Sequence, residues 1–474
     1  MHPKNKPYAD DHSRSWFWSA LQQFGGKGIA MVSAIILARL LAPEDFGIFA
    51  LVSIPLVICQ QIIDGGIAQR LLQQKEIEER HLSTLFWANF GITILMIGLI
   101  LGLSGIYGEL IGEESIRPLL CASTLTLLIF NLAKVCEVRL TRAANFKTMT
   151  KISLLSNMGG LLVAVVCAFQ GLGVWTLVVQ QLTSTILNTA ILQHTTQWRL
   201  GGKFEKGIVV DLYRFGLPLC LAQVYRAVAS NLSSFLIGQR FSVSQLGFVT
   251  RGRLIPNHFM TASATFMSRV NLPALARVQD DGAGREKLFG DMLNRGVATG
   301  ILLSIPMLFF PAVFVEILLG EKWLPGSVFF SLGAVFITTQ IFWILLQDLL
   351  KSCAAVKTVS SCSLITSCLQ LVGVIGLLPF GVVWVIVGDL LGRVAGCILI
   401  TTLVLRRKLV KPGVFGHCFL QVLKVVSLPL LLATVGTMLP VPELGVCLVV
   451  TLVAAILIMK VQGFLAIFAR FSPI

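Results

Sequence analysis

Four basic side chains stand inside segments that are otherwise apolar. Lys27 lies about 16 Å along a helical stretch that begins with the aromatic residues 16–18. Arg226, Arg251 and Arg253 fall in later apolar segments. Charged residues inside hydrocarbon are expensive and usually functional, so we predict that these cations meet an anionic substrate. The Arg251 and Arg253 pair suits a phosphate held bidentately.

Each cation also has a structural interpretation. Lys27 and Arg226 would then pair with buried carboxylates, and the Arg251/Arg253 pair would reach the outer lipid headgroups. Asp64 ends the second apolar segment, where it either contacts substrate or pairs locally. Asp389 and Arg393 are four residues apart, which predicts a structural ion pair along one helix. The same segment carries a small residue at every fourth position, which predicts a close helix contact through Gly388, Gly392 and Gly396. Further substrate-binding candidates are the polar neighbours of these cations: Gln23, Gln223 and Asn231.

Motifs for catalysis and metal binding are absent from the sequence. It contains no G-x-x-x-x-G-K-[ST] phosphate loop, no H-E-x-x-H pair and no clustered His, Cys and Asp set. We therefore expect no catalytic residue, no metal and no cofactor, and a protein that is not an enzyme. His258 is the one histidine placed within a span, where a proton-sensitive role is one interpretation.

Composition indicates an integral membrane protein. Of 474 residues, 55% are hydrophobic and 13% are charged, and the mean hydropathy is +0.83. Soluble domains carry about 25% charged residues. The net charge of +15 comes from basic residues scattered between the apolar segments. That scatter matches the positive-inside rule better than a nucleic-acid surface, so we expect no nucleic-acid partner.

The apolar windows predict an all-α fold with about fourteen transmembrane helices, and twelve or thirteen if a re-entrant piece is misread. An even count places both termini on one side, and the distribution of basic residues makes that side the cytoplasm. The inner segments hold most of the basic residues, Lys134 and Lys351 among them, whereas the short outer loops hold only Arg39, Arg117, Arg240 and Lys322. The predicted divisions are a cytoplasmic segment 1–15, a six-helix bundle 16–193, a cytoplasmic linker 194–214, a second six-helix bundle 215–405, and two further helices within 406–474.

An internal repeat links the two bundles. The stretch from Arg39 to Gly47 resembles that from Arg240 to Gly247, about 200 residues later, and Lys27 matches Arg226 at nearly the same offset. Because each half has six spans, the halves share an orientation and are related by a pseudo-two-fold axis along the membrane normal. Transporters use this plan, with substrate sites at the repeat interface.

Several longer stretches resemble the oligosaccharide flippases of bacterial polysaccharide biosynthesis. The similarity is greatest to the O-antigen and exopolysaccharide branch, colanic-acid exporter type, of the multidrug/oligosaccharidyl-lipid/polysaccharide (MOP) superfamily. It covers roughly residues 30–410. The stretches are ILARLLAPEDFGIFALV (36–52), DGGIAQRLLQQKEIEERHLSTLFWAN (64–89), RLTRAANFKTMTKI (139–152), LPALARVQDD (272–281) and LLGEKW (318–323).

The resemblance implies a flippase of the bacterial inner membrane. Its expected substrate is an undecaprenyl-diphosphate-linked oligosaccharide, moved from the cytoplasmic to the periplasmic leaflet by alternating access through a cationic central cavity. Membrane lipids and other polysaccharide-assembly proteins are the further expected partners. In related lipid II flippases, cations on the first, second and eighth spans face the cavity. Lys27 and the Arg251/Arg253 pair fit that pattern, whereas the second span here has no buried cation.

Two rival functions compete with the flippase. A drug/cation antiporter of the same superfamily needs acidic cavity residues, but the mid-span charges here are mostly basic. A membrane enzyme of polysaccharide synthesis needs a sizeable loop or a carboxylate cluster for acid–base work, and the short outer loops provide none. The sequence leaves open the glycan that is carried, the energy source and the oligomeric state.

Overall fold

The computed structural model describes residues 28–65, 71, 78–143, 145–198, 205–438 and 443–462, and within these ranges the chain is helical with no β-strand. Two short 3-10 turns occur, Glu321–Gly326 and Leu378–Phe380. The helices in chain order are α1 Gly28–Leu40, α2 Pro43–Asp64, α3 Glu79–Ile111, α4 Ile116–Ser123, α5 Leu125–Arg142, α6 Phe146–Phe169, α7 Trp175–Thr196, α8 Lys206–Arg240, α9 Val243–Gly252, α10 Leu254–Arg277, α11 Gly282–Phe309, α12 Pro311–Leu318, α13 Ser327–Ser352, α14 Val356–Leu377, α15 Val382–Arg406, α16 Pro412–Met438 and α17 Glu443–Gln462.

The apolar helices have the length and the surface of membrane spans. In the part of the chain that the structure describes, nine are long and apolar enough to cross a bilayer, and two shorter apolar helices accompany them. Leu155, Leu162 and Val166 form a stripe on α6 and are each more than half exposed. Such a surface is stable against lipid and not against water. The all-α membrane fold is therefore confirmed, while the count of fourteen spans stays a prediction.

The chain divides into two compact units, Met1–Gly247 and Phe248–Ile474. In the first, α6 packs along α7, and α5 packs against α7 and α3. In the second, α14 pairs with α15, and α13 packs against α10 and α11. Helix α8 begins at Lys206, inside the predicted linker 194–214. The predicted bundles 16–193 and 215–405 stay a prediction.

The repeated stretches of the sequence meet each other in the first unit. A Cβ atom added to Gly47 would overlap the backbone carbonyl of Val243, and one added to Gly247 would overlap that of Pro43. The Ser244 hydroxyl donates to Glu44 Oε1 over 2.8 Å beside this crossing. The two glycines are thus equivalent positions of one reciprocal contact, in which the absent side chains let backbone approach backbone.

A second glycine contact joins α14 and α15. The predicted small-residue face of α15 comprises Gly388, Gly392 and Gly396, and all three are buried. Gly388 lies against the backbone of Gly373, and Gly392 lies against that of Gln370. A Cβ atom added to either glycine would overlap this backbone, so glycine permits the close approach of the two helices. This packing holds the polar side chains of α14 and α15 at short range from one another.

The reciprocal crossing predicts a matched pair of unstable variants. Gly47→Ala and Gly247→Ala each force two backbones apart, and overpacking of this kind destabilises by about 1–3 kcal/mol. We expect both to lower the temperature at which the detergent-solubilised protein loses its monodisperse size-exclusion peak. Gly91→Ala on α3 is the control, since an added Cβ has nothing within 4 Å. If Gly47→Ala and Gly247→Ala were as stable as Gly91→Ala, the close backbone contact at Gly47 and Gly247 would be contradicted.

Candidate functional site

Arg253 occupies a break between two helices of the second unit. Helix α9 ends at Gly252, and α10 begins at Leu254 with Arg253 as its N-terminal flanking residue. Pro256 follows in the first turn of α10, where its missing N–H interrupts no hydrogen bond. An added Cβ on Gly252 would lie only 2.6 Å from the Gly326 carbonyl oxygen, so glycine permits the close approach. The break thereby determines where the Arg253 side chain leaves the backbone.

The Arg253 guanidinium is paired with a carboxylate from α15. Its Nη2 atom lies 3.4 Å from Asp389 Oδ2, and both side chains are more than four-fifths buried. The second oxygen, Oδ1, accepts a hydrogen bond of 2.7 Å from the Gln370 carboxamide on α14. The Arg253 guanidinium also lies over the Phe336 ring, 4.5 Å from its centroid, which adds a cation–π contribution.

Arg393 lies near this pair but does not complete it. Its guanidinium donates a short hydrogen bond to the side-chain Oε1 atom of Gln340 on α13 and lies 5.4 Å from the centroid of the Phe336 ring. The structure places the Asp389 carboxylate next to Arg253, and the ion pair of Asp389 with Arg393 stays a prediction. Both residues project from α15, but each finds a partner on a neighbouring helix, and Arg253 takes the carboxylate.

We name this group the arginine cluster, and it carries more positive than negative charge. Two guanidinium groups share one carboxylate, two carboxamides and one aromatic ring. Within the described part of the chain, the Nε atoms of both arginines are buried without a hydrogen-bond partner. A cation held in apolar surroundings needs a partner, so the cluster can accept an anionic group. Its members are Arg253, Phe336, Gln340, Gln370, Asp389 and Arg393.

The candidates on α8 divide between two faces of that helix. Arg226 is exposed and Gln223 is partly buried one turn earlier, and residues three apart share a helix face. Neither side chain has a hydrogen-bond partner in the described ranges. Asn231 lies five residues after Arg226, on another face. Its carboxamide donates a hydrogen bond of 2.8 Å to the backbone carbonyl oxygen of Ala227 on the same helix. Arg226 and Gln223 therefore form one exposed polar patch, without Asn231.

The remaining predicted substrate contacts are placed only in part. Lys27 and Gln23 lie outside the described residues, so their roles stay predictions. Arg251 is partly buried on α9, two residues before Arg253. Residues two apart on a helix do not face one another, so the bidentate use of the Arg251/Arg253 pair also stays a prediction.

Asp64 pairs with a lysine that sequence analysis placed among the cytoplasmic charges. Its Oδ1 atom lies 2.7 Å from Lys134 Nζ on α5, and the lysine side chain is only 16% exposed. Glu137 is one turn further along α5 and partly buried. The missed signal is the three-residue spacing of Asn131, Lys134 and Glu137, which puts three polar side chains on one face of an apolar helix.

A second missed carboxylate is Asp348 on α13. Its side chain is fully buried. The Oδ1 atom accepts a hydrogen bond of 3.0 Å from the Ser268 hydroxyl and lies 3.5 Å from Lys351 Nζ, one turn later. Sequence analysis counted Lys351 as a loop charge and did not consider Asp348. The three-residue spacing of Asp348 and Lys351 was the available signal.

Apolar helices of membrane-spanning length, with polar clusters packed among them, are those of a multi-pass membrane protein. The chain belongs to the polysaccharide biosynthesis protein family, whose match covers residues 36–328. The resemblance found in the sequence is thereby confirmed at the level of the family.

Two relatives and one solved structure are similar to this chain. The lipopolysaccharide biosynthesis protein WzxC of Escherichia coli (strain K12) is 24% identical over 311 residues, which cover 65% of this chain and 63% of the relative. The succinoglycan biosynthesis transport protein ExoT of Rhizobium meliloti (strain 1021) is 25% identical over 319 residues, with 66% and 63% covered. The chain thus spans less than two thirds of either relative. The lipid II flippase MurJ in an inward closed conformation has a TM-score of 0.74 at 12% identity, with 95% of this chain and 98% of that chain covered, and shows the fold.

The observed pairing predicts an energetic coupling that a double-mutant cycle measures. Arg253→Gln and Asp389→Asn each leave one buried group without its partner, so each lowers thermal stability in detergent. We expect the double variant to lose less than the sum, with a coupling of about 1–3 kcal/mol. The cycle of Arg393→Gln with Asp389→Asn is the control and gives a smaller coupling. A larger coupling energy for Arg393 with Asp389 than for Arg253 with Asp389 would identify Arg393 as the main partner of this carboxylate.

Proposed function

We propose that this protein is a flippase for an undecaprenyl-diphosphate-linked oligosaccharide repeat unit, moved from the cytoplasmic to the periplasmic leaflet. Membership in the polysaccharide biosynthesis protein family supports this proposal. The relatives named for lipopolysaccharide biosynthesis and succinoglycan transport support it as well. The fold shared with a lipid II flippase is consistent with a substrate built on a lipid diphosphate.

The observation that carries the proposal is the surplus cation of the arginine cluster. A diphosphate cannot cross about 30 Å of hydrocarbon without a charged path. Arg253 and Arg393 supply two guanidinium groups within apolar helices, against the single carboxylate of Asp389. An anion suits this surplus, and a cationic drug does not. The rival drug/cation antiporter is disfavoured for that reason.

The Arg253 pairing suggests how an anion is taken up and released. In the described structure the Asp389 carboxylate is the ion-pair partner of Arg253, with 3.4 Å between Oδ2 and Nη2. An incoming phosphate oxygen competes for the same guanidinium, and a phosphate binds it bidentately more strongly than a single long contact does. Asp389 then stays with Gln370, its 2.7 Å partner. When the phosphate leaves, Asp389 returns, so the cation is never left alone in the membrane.

The exposed patch on α8 and the undescribed N-terminal segment complete the proposal. Arg226 and Gln223 offer the diphosphate a further cation and a carboxamide, and Lys27 plays the matching part in the first repeat. We place the protein in the bacterial inner membrane with both termini in the cytoplasm, because basic residues concentrate on that side. The role is transport without chemical conversion of the substrate.

Export from cells tests the proposal through charge changes at these cations. Arg253→Gln, Arg226→Glu and Lys27→Glu are expressed singly in a strain whose own copy is deleted. Surface polysaccharide and cytoplasmic-side lipid-linked repeat units are then measured. Losing one charge-assisted hydrogen bond corresponds to about a tenfold change or more, so we expect export to fall at least tenfold while repeat units accumulate inside.

The control uses an exposed arginine at the other end of α8. Arg240 lies in the last turn of that helix, and Arg240→Glu makes the same charge change as Arg226→Glu outside the proposed path. Membrane levels of every variant are matched by immunoblot. Normal export from all three cation variants would contradict the cation-lined path. Equal losses in Arg240→Glu would assign the effect to folding.

A further inference from the structure

A polar cavity lies inside the first unit, away from the arginine cluster. It has a volume of about 350 Å³ and is lined by residues of α5, α6 and α7. That volume lies within the range of about 300–1,000 Å³ that small-molecule sites occupy. Most of its lining side chains are polar, although α5 and α6 belong to segments that are long and apolar enough to cross a membrane. A polar cavity beside such helices is unexpected if packing alone determines these positions.

Several lining groups are left with hydrogen-bonding capacity. Glu137, Ser184 and Asn188 make no side-chain hydrogen bond within the ranges that the structure describes, and all three are partly buried. Asn157 donates only a long bond of 3.4 Å to the Ser153 hydroxyl, so its carbonyl oxygen is open. Partly buried polar groups with free hydrogen-bonding capacity can be satisfied by a ligand or by water.

The lining selects the chemical class of the ligand. One carboxylate, two carboxamides and several hydroxyl groups both donate and accept, which matches a molecule rich in hydroxyl groups. The Phe130 ring also lines the cavity and offers an apolar surface for the C–H face of a sugar ring. A phosphate is repelled by Glu137, and a hydrocarbon chain would leave every polar group unsatisfied. A divalent metal would find a single carboxylate among these groups, which is too few.

We propose that this cavity holds one monosaccharide of the transported glycan and sets which glycan is accepted. Glu137 accepts from sugar hydroxyl groups, while Asn157 and Asn188 each donate and accept. The neighbouring Lys134 stays with Asp64 at 2.7 Å and leaves Glu137 available. The inference rests on the proposed flippase function and adds to it a recognition site for the sugar, separate from the cations that meet the diphosphate.

The experiment compares carriers with and without sugar. The full-length protein is placed in liposomes with a fluorescent polyprenyl diphosphate, either bare or bearing one glucose, galactose or N-acetylglucosamine. Transfer between leaflets is followed by quenching with dithionite. We expect the unaltered protein to move at least one sugar-bearing carrier about tenfold faster than the bare carrier. Losing a hydrogen bond to the sugar costs about a factor of ten, so Asn157→Leu and Asn188→Leu reduce this ratio by that amount.

Control variants separate sugar recognition from folding. Gln193→Leu removes a carboxamide from the same helix as Asn188 but outside the cavity, and it should keep the ratio of the unaltered protein. Ser184→Ala makes a smaller change inside the cavity and should lower the ratio with little structural disturbance. Size-exclusion profiles in detergent check each preparation. Because the readout is a ratio measured on one preparation, differences in the amount of folded protein cancel.

The outcomes distinguish failure of the sugar site from failure of the proposed flippase function. If the unaltered protein moves none of the carriers, both the flippase proposal and the sugar site are overturned. If it moves carriers but the ratio survives in Asn157→Leu and Asn188→Leu, only the sugar site is overturned. A third result, in which Glu137→Gln removes dependence on a proton or sodium gradient and keeps the ratio, would overturn the sugar site in favour of a cation site.

Discussion

The structure depends on one constraint, which is that charge held among apolar helices must have a partner. Arg253 meets it with Asp389 at 3.4 Å, and Lys134 meets it with Asp64 at 2.7 Å. Asp348 meets it with the Ser268 hydroxyl and Lys351. Each pair joins two helices or closes one turn, so every charge also acts as a specific contact between elements. Arg393 is the exception, because its partner Gln340 is neutral.

The backbone features near the arginine cluster serve this constraint. The break between α9 and α10 aims Arg253 inward, and Pro256 keeps the break in place. Phe336 and Gln370 then hold the guanidinium and the carboxylate on either side of their contact. Carboxamides suit these positions because they donate or accept without adding charge to the hydrocarbon.

Sequence reasoning predicted the helical membrane fold because hydrophobic length and composition determine it locally. It also predicted the glycine face of α15, since a four-residue spacing already implies one side of a helix. The sequence does not predict which charged side chains pair with each other across helices. The spacing of Asp389 and Arg393 satisfies a rule for isolated helices, but Arg253, distant in sequence, reaches the same carboxylate. Lys134 was counted among the cytoplasmic charges, because the inward end of α5 cannot be located from composition.

The contact between Gly373 and Gly388 has a consequence for how the charged residues tolerate change. It holds α14 and α15 at backbone distance, and this separation makes a 2.7 Å bond from Gln370 to Asp389 possible. A methyl group at either glycine would push the two helices apart and lengthen that bond without replacing any polar side chain. Sensitivity to mutation therefore extends to residues that carry no functional group at all, and a map of essential positions would mark these two glycines beside the arginines.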